Sequence, residues 1–414
     1  MYQITTHESQ TQIPEITQSL DELAREGARR MIQAALELEV DQHIQAMRHL
    51  RDENDHAQVV RNGKARARTM HLGSGRIEIQ APRVHDSRPE ERFSSKILPP
   101  YMRRSPQLSE ALPVLYLRGL STGDFSEAIP ILLGTEASGF SASTITRLLQ
   151  VWQEEYKAWR QRPLPDKTYV YVWADGVYFN VRLGEEDRLA GLVLVGVLPD
   201  GHKEVIALED GYRESTESWA TLLRDLKQRG LPPPKLAVGD GALGFWAALR
   251  EVYPETQQQR CWVHKIANVL DKLPKRVQPR AKDMLHEIMY APDRKSALTD
   301  IKRFIQEFEA KYPKAIETLT KDQERLLTFF AFPAEHWLHL RTTNAIESAF
   351  STVKARTKQT KGAGSRKAGL AMAFKLLLAA EQRWRRINAP HLVALVQAGA
   401  KFSDGQWQES EQEA

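Results

Sequence analysis

Apolar positions along this chain change their spacing several times, and each change predicts a different kind of structure. From Leu20 to about residue 48, apolar side chains recur every three or four residues, which predicts an amphipathic helix. Residues 76–82 alternate between polar and apolar side chains like a short strand. Helical spacing returns over residues 105–159. The first 165 residues are therefore predicted to form a mostly helical region that contains a small mixed module.

A Pro-rich linker at residues 163–166 separates this region from a segment with the spacing of strands. Runs rich in β-branched and aromatic residues, bounded by turn residues, predict strands. The predicted strands cover residues 168–175, 176–182, 189–198, 203–208, 235–240 and 257–262. Amphipathic patterns over residues 216–229 and 242–252 predict two helices among them, and residues 263–340 are helical in pattern throughout. Strands mixed with helices predict an α/β domain.

The helix predicted after Arg341 carries one acid in a basic surrounding. Its apolar face is formed by Ile346, Phe350 and Val353. Glu347 lies beside this face, one turn into the helix. Between residues 341 and 386 the sequence holds eleven Lys and Arg residues and two acids, Glu347 and Glu381. Glu347 is therefore either a neutralised structural acid or a ligand for something that needs both metal and phosphate.

Composition narrows the class of protein. At 414 residues the chain is predicted to fold into two to four domains. The single cysteine, Cys261, excludes a disulfide framework and a zinc site built mainly on thiolates, which fits a reducing, intracellular location. No apolar run approaches the roughly 18 residues that suggest a membrane span. The first residues do not have the pattern of a signal peptide.

Basic residues are concentrated in two places, although the net charge is only +5. One cluster lies between residues 61 and 76, and the other follows Arg341. Such clusters are the electrostatic signature of a polyanion partner, and a solvated basic surface would look the same. The residues of the second cluster that we expect to contact DNA are Lys354, Arg356, Lys358, Lys361, Arg366 and Lys367. Gly362 and Gly364 are expected to let the backbone approach the DNA strand closely.

Short helices joined by tight turns between residues 105 and 159 are typical of a helix-turn-helix. The pattern breaks at residues 119–122 and 139–143, and a helix with Arg147 near its start follows. The N-terminus of such a helix can enter the major groove of DNA, so Arg147 is a candidate DNA contact. Any small helical bundle would give the same periodicity.

Three acids are candidates for chemistry. Asp175 and Asp240 each end a predicted hydrophobic strand just before a glycine. Strand ends are where ligands bind in open α/β sheets, but Asp-Gly alone is also ordinary turn chemistry. Together with Glu347, the two aspartates would offer three carboxylates, a donor set that suits Mg²⁺ or Mn²⁺. Two such ions could act on one phosphodiester, and the basic surrounding would hold the polyanion that the acids repel.

Cys261 and His264 have the spacing of half a zinc site. The neighbouring sequence offers no second pair of soft ligands. We therefore favour the interpretation that these two residues pack in the core or position DNA near the site. Metal binding is the alternative.

Several motifs of the chain together resemble those of the mutator-type transposases of bacterial insertion sequences. They are Ala174-Asp175-Gly176, Gly239-Asp240-Gly241, Gln259-Arg-Cys261-Trp-Val-His264-Lys-Ile-Ala-Asn268, Arg341-Thr-Thr-Asn-Ala-Ile-Glu347-Ser-Ala-Phe350 and Thr360-Lys-Gly-Ala-Gly-Ser-Arg366. The resemblance covers about residues 105–387 and extends only loosely into the first ninety residues. It implies an α/β ribonuclease-H-like catalytic core with an all-helical insertion, preceded by a mostly helical N-terminal DNA-binding region. The implied catalytic and metal-binding triad is Asp175, Asp240 and Glu347.

The resemblance also implies an organisation into domains. We expect a helical and mixed DNA-binding module (1–100), a helix-turn-helix-like region (101–165), the catalytic core (166–262 and 341–390), the helical insertion (263–340) and a C-terminal tail (391–414).

The function implied by the resemblance is that of a DDE transposase. Such an enzyme binds the inverted terminal repeats of its insertion sequence, cleaves DNA to free 3′-hydroxyl ends and joins them to target DNA with two Mg²⁺ or Mn²⁺ ions. Its expected partners are double-stranded DNA and further copies of itself, as a homodimer or larger homo-oligomer, without a membrane. We expect it in the bacterial cytoplasm, at the nucleoid. The alternatives are a structure-selective nuclease on the same fold, which would not join ends, and a catalytically silent DNA-binding regulator, which would need no acids.

Overall fold

The computed structural model describes residues 19–88, 92–120, 142–181, 188–211, 215–241, 243–359 and 362–408. The chain divides into two compact units, residues 1–146 and 147–414. The finer domain boundaries given above stay predictions. Within the described ranges, every helix is either too short or too polar to cross a membrane.

The N-terminal unit is built on one long helix and four short strands. Helix α1, Leu20–Ala46, begins at Ser19, which forms a reciprocal capping box with Glu22. The strands are β1 Val59–Lys64, β2 Arg68–Leu72, β3 Gly75–Ile79 and β4 Pro82–Asp86, and helix α2 is Pro106–Leu117. Strand β1 pairs with β4, and β2 pairs with β3, both antiparallel. The core of this unit contains Leu36, Met70, Ile77, Ile79 and Leu98.

The basic cluster of this unit is partly neutralised by the unit itself. Arg61 donates to Asp41 at 2.6 Å and pairs with Glu37. Lys64 lies 3.5 Å from the same Glu37. Arg68 donates to backbone carbonyls rather than facing a free surface. The contacts of Arg61 and Lys64 hold β1 against α1, and those of Arg68 hold β2 against residues 98 and 99. This favours packing over DNA contact for the side chains concerned.

The second unit is organised around a five-stranded mixed sheet with the order β7-β6-β5-β8-β9. Its strands are β5 Tyr171–Asn180, β6 Arg188–Val197, β7 Lys203–Gly211, β8 Leu236–Gly239 and β9 Gln257–Arg260. Strands β5, β6 and β7 form an antiparallel meander, whereas β8 and β9 run parallel to β5. The sequence predicted two strands separated at Asp175-Gly176, and this was wrong. Gly176 pairs with Leu192 inside one unbroken strand, because the neighbouring β6 continues its ladder past the glycine.

Helices cover both faces of this sheet. Helices α4 (Thr216–Gln228) and α5 (Leu243–Val252) pack on one face, where Trp219, Phe245 and Trp246 share a core with Val172 and Ala174. Helix α12 (Asn344–Gln359) contacts β5, and helix α13 (Arg366–Glu381) contacts β7. The chain between β9 and α12 is helical, as predicted. Its elements are α6 Trp262–Leu270, α7 Gln278–Met289, α8 Arg294–Phe308, α9 Pro313–Thr320, α10 Gln323–Leu326, two 3₁₀ turns (Thr328–Ala331 and Ala334–His336) and α11 Trp337–Leu340.

Helix α3, Ala142–Arg160, is the helix that the sequence predicted as the second of a helix-turn-helix. Residues 121–141, which include most of the predicted break before this helix, lie outside the described residues. The apolar side of α3 is used for packing within the second unit: Tyr156 donates to the carbonyl of Leu208 at 2.8 Å, and the rings of Tyr156 and Trp159 pack on Phe374. Arg147 is exposed near the start of the helix.

Residues 391–414 are expected to form a C-terminal tail, but as far as residue 408 they form a helix and a hairpin. Helix α14 (His391–Gln397) is followed by a hairpin of β10 (Lys401–Ser403) and β11 (Gln406–Gln408). At the hairpin turn, Gly405 donates to the carbonyl of Phe330 and accepts from the backbone of Ala334, both at 3.2 Å. A Cβ on Gly405 would lie 2.5 Å from that of Ala334, so the turn packs closely on the 3₁₀ segment.

Candidate active site

Register across the parallel strands places two of the predicted acids side by side. Ala174 of β5 pairs with Gly239 of β8. Asp175 follows Ala174 within β5, and Asp240 follows Gly239 directly after the end of β8, so the two acids extend this register on the same face. Asp175 lies within β5 rather than at its end, but it follows the last residue paired with β8. Both acids thus come directly after the last residues that pair β5 with β8.

The third acid, Glu347, approaches from the face of the sheet that α12 covers. Trp173 shares a face of β5 with Asp175 because side chains alternate along a strand. Its indole Nε1 donates to the carbonyls of His339 and Thr342, each at 3.2 Å. This fixes the segment just before α12 against the face that carries Asp175. Glu347 then lies one turn into α12, whose apolar face is buried as predicted.

Thr343 holds the carboxylate of Glu347. Its hydroxyl donates to Glu347 Oε1 at 2.6 Å, and its backbone carbonyl accepts from the amide of Glu347 at 3.1 Å. The side chain of Glu347 is 37% exposed, so it is reachable by a ligand. The start of helix α12 thus holds the carboxylate of Glu347 in a fixed position while leaving it accessible.

Asp240 is oriented by a buried arginine. Arg260, at the end of β9, donates through Nη1 to Asp240 Oδ1 at 2.9 Å, while the same oxygen accepts from the backbone of Gly241. Arg260 is 4% exposed, and Asp240 is 38% exposed. A Cβ on Gly241 would lie 2.0 Å from Arg260 Nη1, so a side chain at this position would displace the guanidinium. The sequence analysis missed Arg260, although a charged residue at the end of a buried strand is itself a signal that a partner exists.

Cys261 and His264 belong to the same site as the acids. The amide of Cys261 donates to the carbonyl of Gly239 at 2.9 Å, which puts Cys261 beside Asp240 across the strand ends. The hydroxyl of Thr343 lies 3.3 Å from the Cys261 sulfur and 3.5 Å from His264 Nδ1. His264 Nδ1 is 3.9 Å from Glu347 Oε1.

These positions form a possible ligand cluster. One ligand atom each from Cys261, His264 and Glu347 lie within 4.8 Å of one another, the one such trio found in the described part of the chain. The three predicted triad acids are not drawn together this closely. Cys261 is buried, and the expectation that the pair packs in the core or positions DNA near the site stays a prediction. We predict that the cluster does not bind metal.

Charges around His264 favour its protonated form. The hydrogen bond with Cys261 is the largest cause that raises the pKa of His264. Burial opposes it, the nearby charges of Cys261, Asp240 and Glu347 add to it, and the net result is a pKa of about 9. Burial alone raises the pKa of the Cys261 thiol, but hydrogen bonds with His264 and Thr343 more than offset this and lower it. An imidazolium therefore lies among the acids and compensates part of their mutual repulsion.

The predicted DNA contacts occupy different environments. Those that are exposed are Lys354, Lys358, Lys367 and Arg147. Lys361 lies outside the described residues. Whether these side chains contact DNA stays a prediction.

Two predicted contacts are engaged within the protein. Arg356 is 3% exposed, because it follows the buried Val353 by three residues and so lies next to the apolar face of α12. Arg366 makes a two-pronged pair with Asp210, with Nη2 at 2.6 Å and Nε at 3.0 Å from its carboxylate oxygens. Neither position suits a direct phosphate contact in this conformation.

Comparison with known proteins places the chain in a family. The model of the family described as Transposase, Mutator family, matches residues 1–386. The transposase for insertion sequence element IS6120 of Mycolicibacterium smegmatis is 58% identical over 298 residues, which cover 72% of this chain and 92% of that protein. The transposase for insertion sequence element IST2 of Acidithiobacillus ferrooxidans is 50% identical over 280 residues, which cover 67% of this chain and 94% of that protein.

One solved structure is a much more distant match. The Drosophila P element transposase strand transfer complex is 11% identical, with 71% of this chain and 91% of that chain covered. Its TM-score of 0.25 is too low to support an argument about the fold. The family match over residues 1–386 and the two similar transposases are sufficient to assign the family without this structure. This chain belongs to the Mutator family of transposases.

Proposed function

We propose that this protein is a transposase that binds the inverted terminal repeats of its insertion sequence, frees 3′-hydroxyl ends and joins them to target DNA. The observation that supports the proposal is the register that pairs Ala174 with Gly239, the residues just before Asp175 and Asp240, together with the contact of Trp173 with Thr342, which holds the segment before Glu347 on the same face. Family membership supports the same reading. Assembly as a homodimer or larger homo-oligomer on DNA, in the cytoplasm at the nucleoid, is part of this proposal.

The catalytic unit is proposed to be ribonuclease-H-like. The strand order β7-β6-β5-β8-β9, with an antiparallel meander followed by two parallel strands, supports this assignment. The helical segment between β9 and α12 is then an insertion before the last acid-bearing helix. It would keep the third acid on a separate element that packs back on β5.

The residues that would hold divalent ions are Asp175, Asp240 and Glu347. Their donor chemistry fits Mg²⁺ or Mn²⁺, because carboxylate oxygens are the ligands that hard divalent ions prefer. When bound, two such ions supply Lewis acidity to the attacking and leaving oxygens of a phosphodiester. Arg260 and Thr343 would keep two of the carboxylates oriented before any ion arrives.

The two proposed steps are the same reaction with different nucleophiles. In cleavage, water attacks phosphorus, the bond to the 3′-oxygen breaks, and that oxygen leaves as a 3′-hydroxyl while the 5′-phosphate keeps the water oxygen. In joining, the freed 3′-hydroxyl attacks a phosphorus of the target and displaces the 3′-oxygen of the target strand. One site can therefore serve both steps. A nuclease on the same fold would stop after the first.

Substitution of each acid tests the proposal. Asp175→Asn, Asp240→Asn and Glu347→Gln should each abolish cleavage and joining, because each removes a metal ligand, while affinity for terminal DNA stays close to that of the unmodified protein. Cleavage and joining would be measured on gels with labelled terminal DNA and Mg²⁺, and binding in parallel with Ca²⁺, which tolerates looser geometry. Mg²⁺-dependent cleavage by any of the three variants would remove that residue from the triad.

A further inference from the structure

A basic cleft lies beside Asp240, between the strand ends and the helical insertion. It has a volume of about 400 Å³ and is bordered by Gly241, by α6 and by residues 314–325. Six cationic side chains line it, against two acids, Glu317 and Asp322. The cations are Arg260, Lys265, Lys272, Lys314, Lys321 and Arg325. We call the cleft that these residues line the insertion cleft.

The floor of the insertion cleft is a buried charge network with too few acids. Lys265 Nζ donates to Asp322 at 2.7 Å and to the carbonyl of Thr318 at 2.7 Å. The same Asp322 lies 3.9 Å from Arg260 and 3.7 Å from Arg325. One carboxylate thus lies near three cations, of which Arg260 also pairs with Asp240. Burial lowers the pKa of Lys265, because the desolvation of its ammonium group outweighs the hydrogen bond with Asp322.

The rim of the cleft carries charge that the protein does not use. Lys272, Lys314 and Lys321 are all exposed. Within the described residues, no carboxylate forms an ion pair with any of the three, whereas many other exposed cations of this unit are paired. Three free ammonium groups around one concavity suit an extended anion with regularly spaced charges.

Arg260 connects the cleft to the catalytic acids. Its Nη1 donates to Asp240, yet its buried Nε has no hydrogen-bond partner. Arg260 also lines the cleft, so the guanidinium faces both sites. A buried donor without a partner costs free energy unless a ligand satisfies it. An anion bound at this end of the cleft would therefore be separated from the reacting phosphodiester only by the side chain of Arg260.

We propose that the insertion cleft binds the phosphate backbone of the DNA strand that carries the scissile bond. Lys272, Lys314 and Lys321 contact successive phosphates, and Arg260 marks the point where the strand enters the acid site. This inference rests on the proposed function. It assigns part of the DNA path to the helical insertion, in addition to the basic residues after α12.

The test compares two triple variants. Lys272→Gln, Lys314→Gln and Lys321→Gln together remove the rim charges, and Lys282→Gln, Lys295→Gln and Lys302→Gln remove the same charge from exposed lysines of the insertion that do not line the cleft. Affinity for a terminal DNA duplex would be measured by fluorescence anisotropy over a range of salt concentrations. Each lost phosphate contact lowers the slope of log affinity against log salt by about 0.9.

The rim variant should lower the slope by about two to three units, and the control variant should leave it within half a unit of the unmodified protein. Lysine-to-arginine changes at the rim should preserve the slope and show that charge is what matters. Neutral methylphosphonate linkages beside the scissile bond should weaken binding severalfold in the unmodified protein but not further in the rim variant.

Equal slopes for the rim and control variants would overturn the inference, as would methylphosphonate effects that add fully to the rim substitutions. Circular dichroism melting of both variants checks folding, and a misfolded rim triple would be replaced by Lys314→Gln with Lys321→Gln. Because binding needs no turnover, the salt slope reports on the cleft even if the protein neither cleaves nor joins DNA. Failure of the proposed function and failure of the cleft are thus separate results.

Discussion

Thr343 connects two motifs that are far apart in sequence. Its hydroxyl lies 2.6 Å from Glu347 and 3.3 Å from the sulfur of Cys261. A hydroxyl has one proton, and the shorter contact to a carboxylate takes it, so Thr343 donates to Glu347. The Cys-x-x-His motif then supports Glu347 in two ways. Cys261 and His264 pack against Thr343, and the charge of His264 lies close to the carboxylate. Thr343 acts on Glu347 and is a positioning residue.

Replacement of Thr343 by valine tests this role. Thr343→Val keeps the shape of the side chain but removes the hydrogen bond that holds Glu347. Single-turnover cleavage of terminal DNA should slow by about 10- to 100-fold, because small errors in the position of a catalytic group cost rates of this order. DNA affinity should not change. Thr343→Ser should restore the rate, and a valine variant as fast as the unmodified protein would show that Glu347 needs no such support.

Metal analysis tests the interpretation of Cys261 and His264. We expect purified protein to contain no stoichiometric zinc, because structural zinc sites use four ligands and the cluster here offers three, one of which is the proposed catalytic Glu347. Cys261→Ser should unfold at lower urea concentration and should not be rescued by added zinc. Zinc that survives dialysis against a chelator at one ion per chain would contradict this interpretation.

At the scale of elements, the segment between α12 and α13 is fixed by backbone contacts. Gly362 has φ of +101°, and its neighbour Ala363 donates to the carbonyl of Asn180 at 3.0 Å at the end of β5. A Cβ on Gly362 would lie 2.7 Å from that carbonyl oxygen. This glycine therefore has a structural reason within the protein, and the expectation that it also lets the chain approach DNA stays a prediction. The close approach is to β5, the strand that carries Asp175.

The two glycines of this segment form a matched pair for mutation. Gly362→Ala should destabilise the protein by more than about 1 kcal/mol, because alanine is strained at positive φ and meets the backbone of Asn180. Gly364→Ala meets nothing within 4 Å and has no positive φ, so its unfolding free energy should change by less than about 0.5 kcal/mol. Urea unfolding measures both. Equal effects would mean that the segment does not depend on this contact.

At the scale of the whole molecule, the sequence could predict elements and motifs but not their registers. Helical and strand periodicity located the meander, α4, β8 and α12 to within a few residues, because these patterns are local. The pairing of Ala174 with Gly239, which sets Asp175 beside Asp240, is a contact between distant parts of the chain and leaves no local pattern. The same holds for the pair of Arg366 with Asp210.

Charge counting did not predict which basic side chains are exposed. Arg356 and Lys358 are two residues apart and equally basic, yet Arg356 is buried and Lys358 is exposed. Helical spacing from Val353 could have distinguished them. Arg260 was missed because it lies outside the basic clusters, and its importance comes from burial and from its contact with Asp240.

The proposed function requires that one acid site both hydrolyses and joins DNA. The direct test uses pre-cleaved terminal DNA with a label on the strand that ends in a 3′-hydroxyl, incubated with the protein, Mg²⁺ and an unlabelled target plasmid. We predict that the label becomes covalently attached to the plasmid with the unmodified protein and not with Glu347→Gln. Shortened labelled strands without any joined product would contradict the claim and would identify a nuclease instead.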